Sequence, residues 1–200
     1  SERWRAWTRW SDPAALRREP ALLRARFKVG EDDDGRPVRV RLRHFLDYVD
    51  ADAEGDASPL YVFDSSFDER GGASTARLLD DSAVPAPFAD DLFALVGERR
   101  RPPYRWWLVG AKRSGTCAHV DPLGTSAWNT VLSGRKRWAL LPPHTCRKVA
   151  KGKTVLRAGE DDEAVHYFVD LLPRMKAAHA RLPLVEFVQH PGETAFVPGG

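Results

Sequence analysis

Between Gly115 and Asn129 the chain reads "GTCAHVDPLGTSAWN", which sets His119 two residues before Asp121 in a small, otherwise apolar stretch. In extended backbone, residues i and i+2 project from the same side. An imidazole and a carboxylate therefore converge on one point here, and Pro122 helps to end the extended segment just after them. A converging nitrogen and oxygen suit a divalent metal ion. Completed by a second histidine, they form the facial triad of non-haem iron(II) oxygenases, which leaves coordination positions open for a cosubstrate and oxygen. The His-x-Asp pattern also recurs by chance, so its neighbours decide its weight.

Lys136 is the first such neighbour. In "GRKRWALLPP", Lys136, Trp138 and Leu140 share one face of a strand. An ammonium among inward apolar side chains needs a counter-charge. Two readings are open: the side chain snorkels outward, or it pairs with the carboxylate of a bound acid. Thr116 and Asn129 can add uncharged hydrogen bonds. Asparagine is depleted in strand interiors, so Asn129 needs a specific partner, either a ligand or a backbone group.

Cys117 precedes His119 by two residues. If the strand is already regular there, the thiol shares the site's face and is open to coordination or oxidation. If the backbone is irregular, the thiol packs elsewhere. Two patterns are decoys. "GAKRSGT" (110–116) has the glycine spacing of a phosphate loop but lacks the Lys-Ser/Thr pair and precedes a strand. Ser114 is not in a Gly-x-Ser-x-Gly elbow. The remaining histidines, His44, His144, His166, His179 and His190, read as surface residues.

The elements that must position these residues are mostly short strands. From Tyr104 onward, "YRWWLVG", "HVD", "TSAWNTVLSG", "KRWALLPP", "LVEFVQHPGE" and "TAFVPGG" are broken by Gly and Pro, as in sandwiches and barrels. Between them, Glu160 to Arg174 reads as one helix with an acidic first turn. Upstream, residues 1 to about 26 have the spacing of short amphipathic helices, with Ser11-Asp12-Pro13 as a start signal. Gly30 to Gly35 is an acidic turn. Val38, Val40 and Leu42 alternate with arginines, as in a half-exposed strand, and His44 to Val49 is helical. Asp50 to Pro59 is a polar loop, Leu60 to Phe67 a short strand, and Asp68 to Thr75 a loop with paired glycines. Phe88 to Gly97 reads as a helix ended by glycine.

Composition removes several classes. Two hundred residues suit one domain, or one core with an accessory segment. No apolar run approaches the ~20 residues of a bilayer-spanning helix, so no membrane partner is expected. A net charge of +3 is too small to argue for nucleic-acid binding. The basic run within Glu98 to Arg105 is either a solvated loop or a substrate-facing patch. Two cysteines, Cys117 and Cys146, make no disulfide framework and fit a reducing compartment. The chain begins at Ser1 and stops at Gly200 within a pattern, so it reads as a fragment.

The long stretch "RPPYRWWLVGAKRSGTCAHVDPLGTSAWNTVLSGRKRWALLPP", with "PGETAFVPGG" after it, resembles the JmjC oxygenases. The likeness is closest to the Jumonji-domain-containing protein 6 subgroup, lysyl hydroxylases also described as arginine demethylases. It runs upstream through "FKVGEDDDG", "SPLYVFDSSF" and "DDLF", covering about Arg26 to Gly200. The resemblance implies a mainly β fold with helices, a cupin-like jelly roll or double-stranded β-helix, its final strands beyond Gly200. Residues 1–59 would be α/β accessory elements and 60–200 the core. It implies iron(II), 2-oxoglutarate and O2, with His119 and Asp121 matching two iron ligands. Lys136 matches the lysine that pairs with 2-oxoglutarate, and Thr116 and Asn129 match further cosubstrate contacts. Tyr61 falls where the family has an active-site tyrosine, and Glu163 where it has a substrate contact. The family's third ligand is a histidine shortly after the "VPGG" turn, a context that His190 does not match.

What the resemblance implies for function is hydroxylation of a protein side chain, lysyl hydroxylation first. Hydroxylation of a lysine carbon leaves a stable product. Hydroxylation of an N-methyl group gives a carbinolamine that loses formaldehyde, which is demethylation of a methyl-arginine or a histone residue. One site can do either. The resemblance also implies a nuclear location, partners among RNA or RNA-associated proteins, and dimerisation through segments after Gly200. The rival from another class is a non-catalytic binding scaffold on the same fold, or an inactive fragment.

Overall fold

The computed structural model describes residues 4–32, 34–70 and 72–199. Asp33 of the acidic turn, Gly71 of the paired glycines and Gly200 of the closing turn lie outside the described residues. The chain divides into two compact units: Ser1–Gly55 with Leu60–Ala111, and Asp56–Pro59 with Lys112–Gly200.

In the first unit, three short helices, α1 (Ala6–Arg9), α2 (Pro13–Arg17) and α3 (Pro20–Arg24), precede β1 (Arg26–Glu31). The start signal read from the sequence is in place: the Asp12 side chain accepts from Ala15 N at 2.6 Å and Pro13 opens the helix. β1 pairs antiparallel with β2 (Pro37–Arg41). The acidic turn joins them, with Asp32 Oδ1 accepting from Asp34 N and Arg36 N and with Gly35 at φ 75°. Leu42, expected to close the alternating strand, instead opens α4 (Leu42–Ala51), where it is buried with Phe45 and Leu46. That i, i+3, i+4 spacing is the helical one. β3 (Tyr61–Asp64) pairs antiparallel with β4 (Trp107–Gly110), with α5 (Phe67–Arg70) and α6 (Ala73–Ala76) between them. The loop expected over Asp68 to Thr75 is therefore largely helical on either side of Gly71. The core holds Phe27, Val29, Phe45, Leu46, Val62 and Trp107. Two buried aspartates are fully engaged. Asp64 takes Lys28 N at 2.9 Å and Arg39 at 2.6 Å, and Asp81 takes Arg9 at 2.6 Å and the Trp10 indole at 3.0 Å.

The helix expected over Phe88 to Gly97 is two 3₁₀ turns, Ala86–Phe88 and Leu92–Val96. Leu92 is 78% exposed and Leu95 85%. With no apolar face to bury, nothing repays the cost of a longer helix.

The second unit carries β5 (Ala127–Thr130), β6 (Lys136–Leu140), β7 (Val185–Gln189) and β8 (Thr194–Val197). β5 pairs antiparallel with β8, and β6 with β7, as two separate two-stranded sheets. The observed fold is thus mixed helices with small antiparallel sheets. α7 (Arg147–Ala150) precedes the helical stretch expected over Glu160 to Arg174, which begins at Ala164. That stretch runs as α8 (Ala164–His166), a π turn over Tyr167–Leu171, and α9 (Leu172–Ala178). Pro173 explains the π turn: it has no N–H, and its ring clashes with the carbonyl four residues back, so the preceding turn widens. Tyr167, Leu171, Leu172 and Met175 form this unit's core.

Candidate active site

His119 and Asp121 are not in a strand. They lie in an unpaired extended segment between β4 and β5, and Asp121 has φ −64° and ψ 142°. The i, i+2 geometry still holds without a partner strand: His119 Nε2 lies 3.4 Å from Asp121 Oδ1. The other ring nitrogen is committed locally. His119 Nδ1 is 2.7 Å from the Cys117 carbonyl, so it donates and leaves Nε2 with its lone pair. Metal-binding histidines are held by this kind of second hydrogen bond. Both side chains are open, His119 54% and Asp121 37% exposed. Among the described residues no three His, Cys, Asp or Glu side chains gather as a metal cluster, so this chain's described donors supply a pair.

The segment's irregular backbone answers the question of Cys117. It contributes its carbonyl to His119 and is half-buried. Its thiol pKa is raised by burial and by the carboxylates of Glu163 and Asp162. Gly115 explains that proximity, since a Cβ there would stand 3.2 Å from Ala164 Cβ. Glu163 precedes α8 and accepts from Ser58 Oγ at 3.2 Å. Thr116 is exposed in the same segment.

Lys136 and Asn129 sit on neighbouring strands. Lys136 and Trp138 share a face of β6 as the alternation requires, and Lys136 Nζ lies 4.2 Å from the Trp138 ring centroid. No carboxylate pairs with it among the described residues, and burial alone pulls its pKa down to about 8. Asn129 Oδ1 is buried and has no hydrogen-bond partner. A desolvated ammonium is what the carboxylate of a bound acid would satisfy, whereas the Asn129 oxygen can only accept and would need a donor. Tyr61 belongs to the first unit, on β3, where its ring meets Phe63 at 5.5 Å.

Sequence reasoning passed over two residues. Gln189, only 1% exposed, ends β7 opposite Lys136 and binds three partners. It accepts from Trp138 Nε1 at 2.8 Å and donates to the carbonyls of Asn129 at 2.8 Å and Glu193 at 2.9 Å. A glutamine on the same face as Val185 and Phe187 was the available signal. Gly199, after β8, donates its N–H to Ser126 Oγ at 2.9 Å, and a Cβ on it would come within 2.1 Å of Gly124 O. The end of β8 therefore passes tightly over the turn that follows Asp121, an approach only glycine permits. Of the other histidines, His44, His144 and His190 are exposed and His179 half-exposed, while His166 is half-buried between Glu160 and Asp170.

Comparison with known proteins gives a consistent picture. Residues 106–200 match the family described as JmjC domain, hydroxylase. The chain is 40% identical over 202 residues to the Caenorhabditis elegans protein named bifunctional arginine demethylase and lysyl-hydroxylase psr-1, covering 100% of this chain and 49% of that one. It is 43% identical over 182 residues to the Arabidopsis thaliana lysine-specific demethylase JMJ21, covering 87% of this chain and 18% of that one. To the chicken 2-oxoglutarate and iron-dependent oxygenase JMJD4 it is 33% identical over 102 residues, 48% of this chain and 22% of that one. The chain spans about half the length of the psr-1 relative.

Proposed function

We propose, from the premise that this chain belongs to the JmjC family, that the protein is an iron(II)- and 2-oxoglutarate-dependent oxygenase acting on protein side chains. Lysyl hydroxylation is the favoured reaction, with N-methyl-arginine or histone demethylation as the other outcome of the same chemistry. The observation that carries the reading is the His119–Asp121 pair, with Nε2 3.4 Å from Oδ1 and Nδ1 held by the Cys117 carbonyl. The finer fold reading is a double-stranded β-helix with 1–59 accessory and 60–200 core. It is supported by the nested antiparallel pairing of β5 with β8 around β6 with β7.

In this reading His119 Nε2 and Asp121 would hold the iron as two of its protein donors. When bound, iron(II) and 2-oxoglutarate supply activation of O2 and insertion of one oxygen atom into a substrate C–H bond. The protein's task is orientation and charge. Cys117 fixes the His119 ring through its carbonyl, so Nε2 is the nitrogen turned toward the metal position. Lys136 supplies the cation for the cosubstrate's distal carboxylate, and binding raises its depressed pKa by giving it a partner. The Asn129 amide N–H and the Thr116 hydroxyl add donated hydrogen bonds, each directional and therefore orienting. Glu163 offers a carboxylate to a cationic lysine or arginine side chain, and Tyr61 matches the family's active-site tyrosine by resemblance. The resemblance extends the proposal to a nuclear location, substrates among RNA-associated proteins, and dimerisation.

The test is succinate formation from 2-oxoglutarate with lysine- and methyl-arginine-containing peptides, the products resolved by mass. Hydroxylated lysine selects one reaction, and lost methyl with formaldehyde the other. Metal binding without succinate from any peptide would favour the scaffold reading.

A further inference from the structure

Gln189 stands where the two sheets of the second unit meet, and its three bonds leave no freedom in its orientation. The Trp138 indole nitrogen can only donate, so the Gln189 oxygen must face it. The amide nitrogen then faces two carbonyls, Asn129 O and Glu193 O, which can only accept. The side chain is 1% exposed and its whole hydrogen-bonding capacity toward the protein is directed. A residue satisfied in this way holds its neighbours as firmly as they hold it.

Those neighbours are the elements of the cosubstrate pocket. Trp138 touches both Gln189 and Lys136: its nitrogen is bonded to the first, and its ring centroid lies 4.2 Å from the ammonium of the second. The ring is also stacked with Phe187, centroids 6.0 Å apart. The second bond runs from Gln189 to the backbone of Asn129, the residue whose side-chain oxygen is buried without a partner. The third closes the turn into β8. No other described side chain bonds to both the β5 backbone and the β6 tryptophan.

We infer that Gln189 is the positioning residue of the 2-oxoglutarate pocket, orienting Lys136 through the Trp138 ring and Asn129 through its carbonyl; this rests on the function proposed above. It touches neither cosubstrate nor metal. Its effect falls on cosubstrate affinity and passes through Lys136.

The test uses Mn²⁺ in place of iron, so that binding is read without turnover, and measures Mn²⁺ and 2-oxoglutarate affinity separately by calorimetry. Gln189→Leu is expected to weaken 2-oxoglutarate binding about tenfold, the scale of one or two lost hydrogen bonds. Mn²⁺ affinity should stay within about twofold, since His119 and Asp121 are held elsewhere. Trp138→Phe keeps an aromatic ring beside Lys136 and removes the pyrrole half of the indole with its N–H. It is expected to show about a threefold loss, and it serves if Gln189→Leu folds poorly. In a Lys136→Met background the Gln189→Leu loss should shrink to about threefold or less, the share carried by Asn129. An equal loss in both backgrounds, or a parallel fall in Mn²⁺ affinity, would show general loosening and overturn the inference. A wild-type protein that binds Mn²⁺ but not 2-oxoglutarate would overturn the functional reading itself, and the inference with it.

Discussion

Replacing Lys136 with methionine removes one positive charge and keeps an unbranched side chain of similar reach on the same face of β6. The ammonium stands half-buried beside Trp138, with no carboxylate partner among the described residues. Burial alone brings its pKa from 10.5 to about 8. A shift of that size weighs roughly 3 kcal/mol against the charged form at neutral pH. The adjacent indole face returns about 0.5–2 kcal/mol of it, and solvent reaching the half-buried group screens part of the rest. The variant should therefore be more stable than wild type by about 1–2 kcal/mol at pH 7. The pH dependence has a definite sign. Between about 8 and 10.5 the unfolded chain keeps the lysine proton and the folded chain has lost it. Wild-type stability should accordingly rise across that window, while the methionine variant should not show the rise. Function moves the opposite way. Removing one member of a desolvated charge pair costs ~2–5 kcal/mol, so 2-oxoglutarate affinity should fall at least about thirtyfold. Thermal melts across that pH window and calorimetric titration with Mn²⁺ present measure both effects. A variant that is less stable at neutral pH and binds 2-oxoglutarate as wild type does would refute the argument, because Lys136 would then be a structural cation.

His119→Ala and Asp121→Ala should each weaken Mn²⁺ binding by more than the roughly 10–100-fold that outer-sphere partners carry; unchanged Mn²⁺ electron spin resonance in either variant would place the metal elsewhere. Gly199→Ala drives a Cβ to within 2.1 Å of Gly124 O, which should cost about 1–3 kcal/mol in a denaturant titration and weaken Mn²⁺ binding by shifting the turn after Asp121. An unchanged unfolding midpoint would contradict that close approach. Glu160 is held at a pKa of about 2 by the Arg174 guanidinium first and by the Arg157 N–H second. Its contribution to stability is present above the ordinary carboxylate range and is lost as pH falls toward about 2. Arg174→Met should therefore move acid unfolding to higher pH, and coincident acid-unfolding curves would dismiss the clasp.

The candidate site residues were legible in the chain because their signals are local. His119 and Asp121 converge through the i, i+2 rule alone, which holds in the unpaired segment as it would in a strand. Lys136 and Trp138 share a face for the same reason. Asp12-Pro13 opens a helix through a bond three residues long, and the long motif from Arg101 to Pro143 carries the resemblance because it sets many residue types in one order. What the chain did not disclose depends on partners distant in sequence. The Phe88 to Gly97 periodicity is helical, yet no apolar surface meets Leu92 or Leu95, so the segment stays in 3₁₀ turns. Pro173 leaves a π turn where periodicity alone predicts a continuous helix. The lone pair of His119 is assigned by a carbonyl, the freedom of Lys136 by a missing counter-ion, and the place of Gln189 by strands some sixty residues apart in the chain. Hydrogen-bond partners and desolvation are properties of the packed interior. The sequence alone determined which groups are available, and only the tertiary structure decided which of them find partners among the described residues.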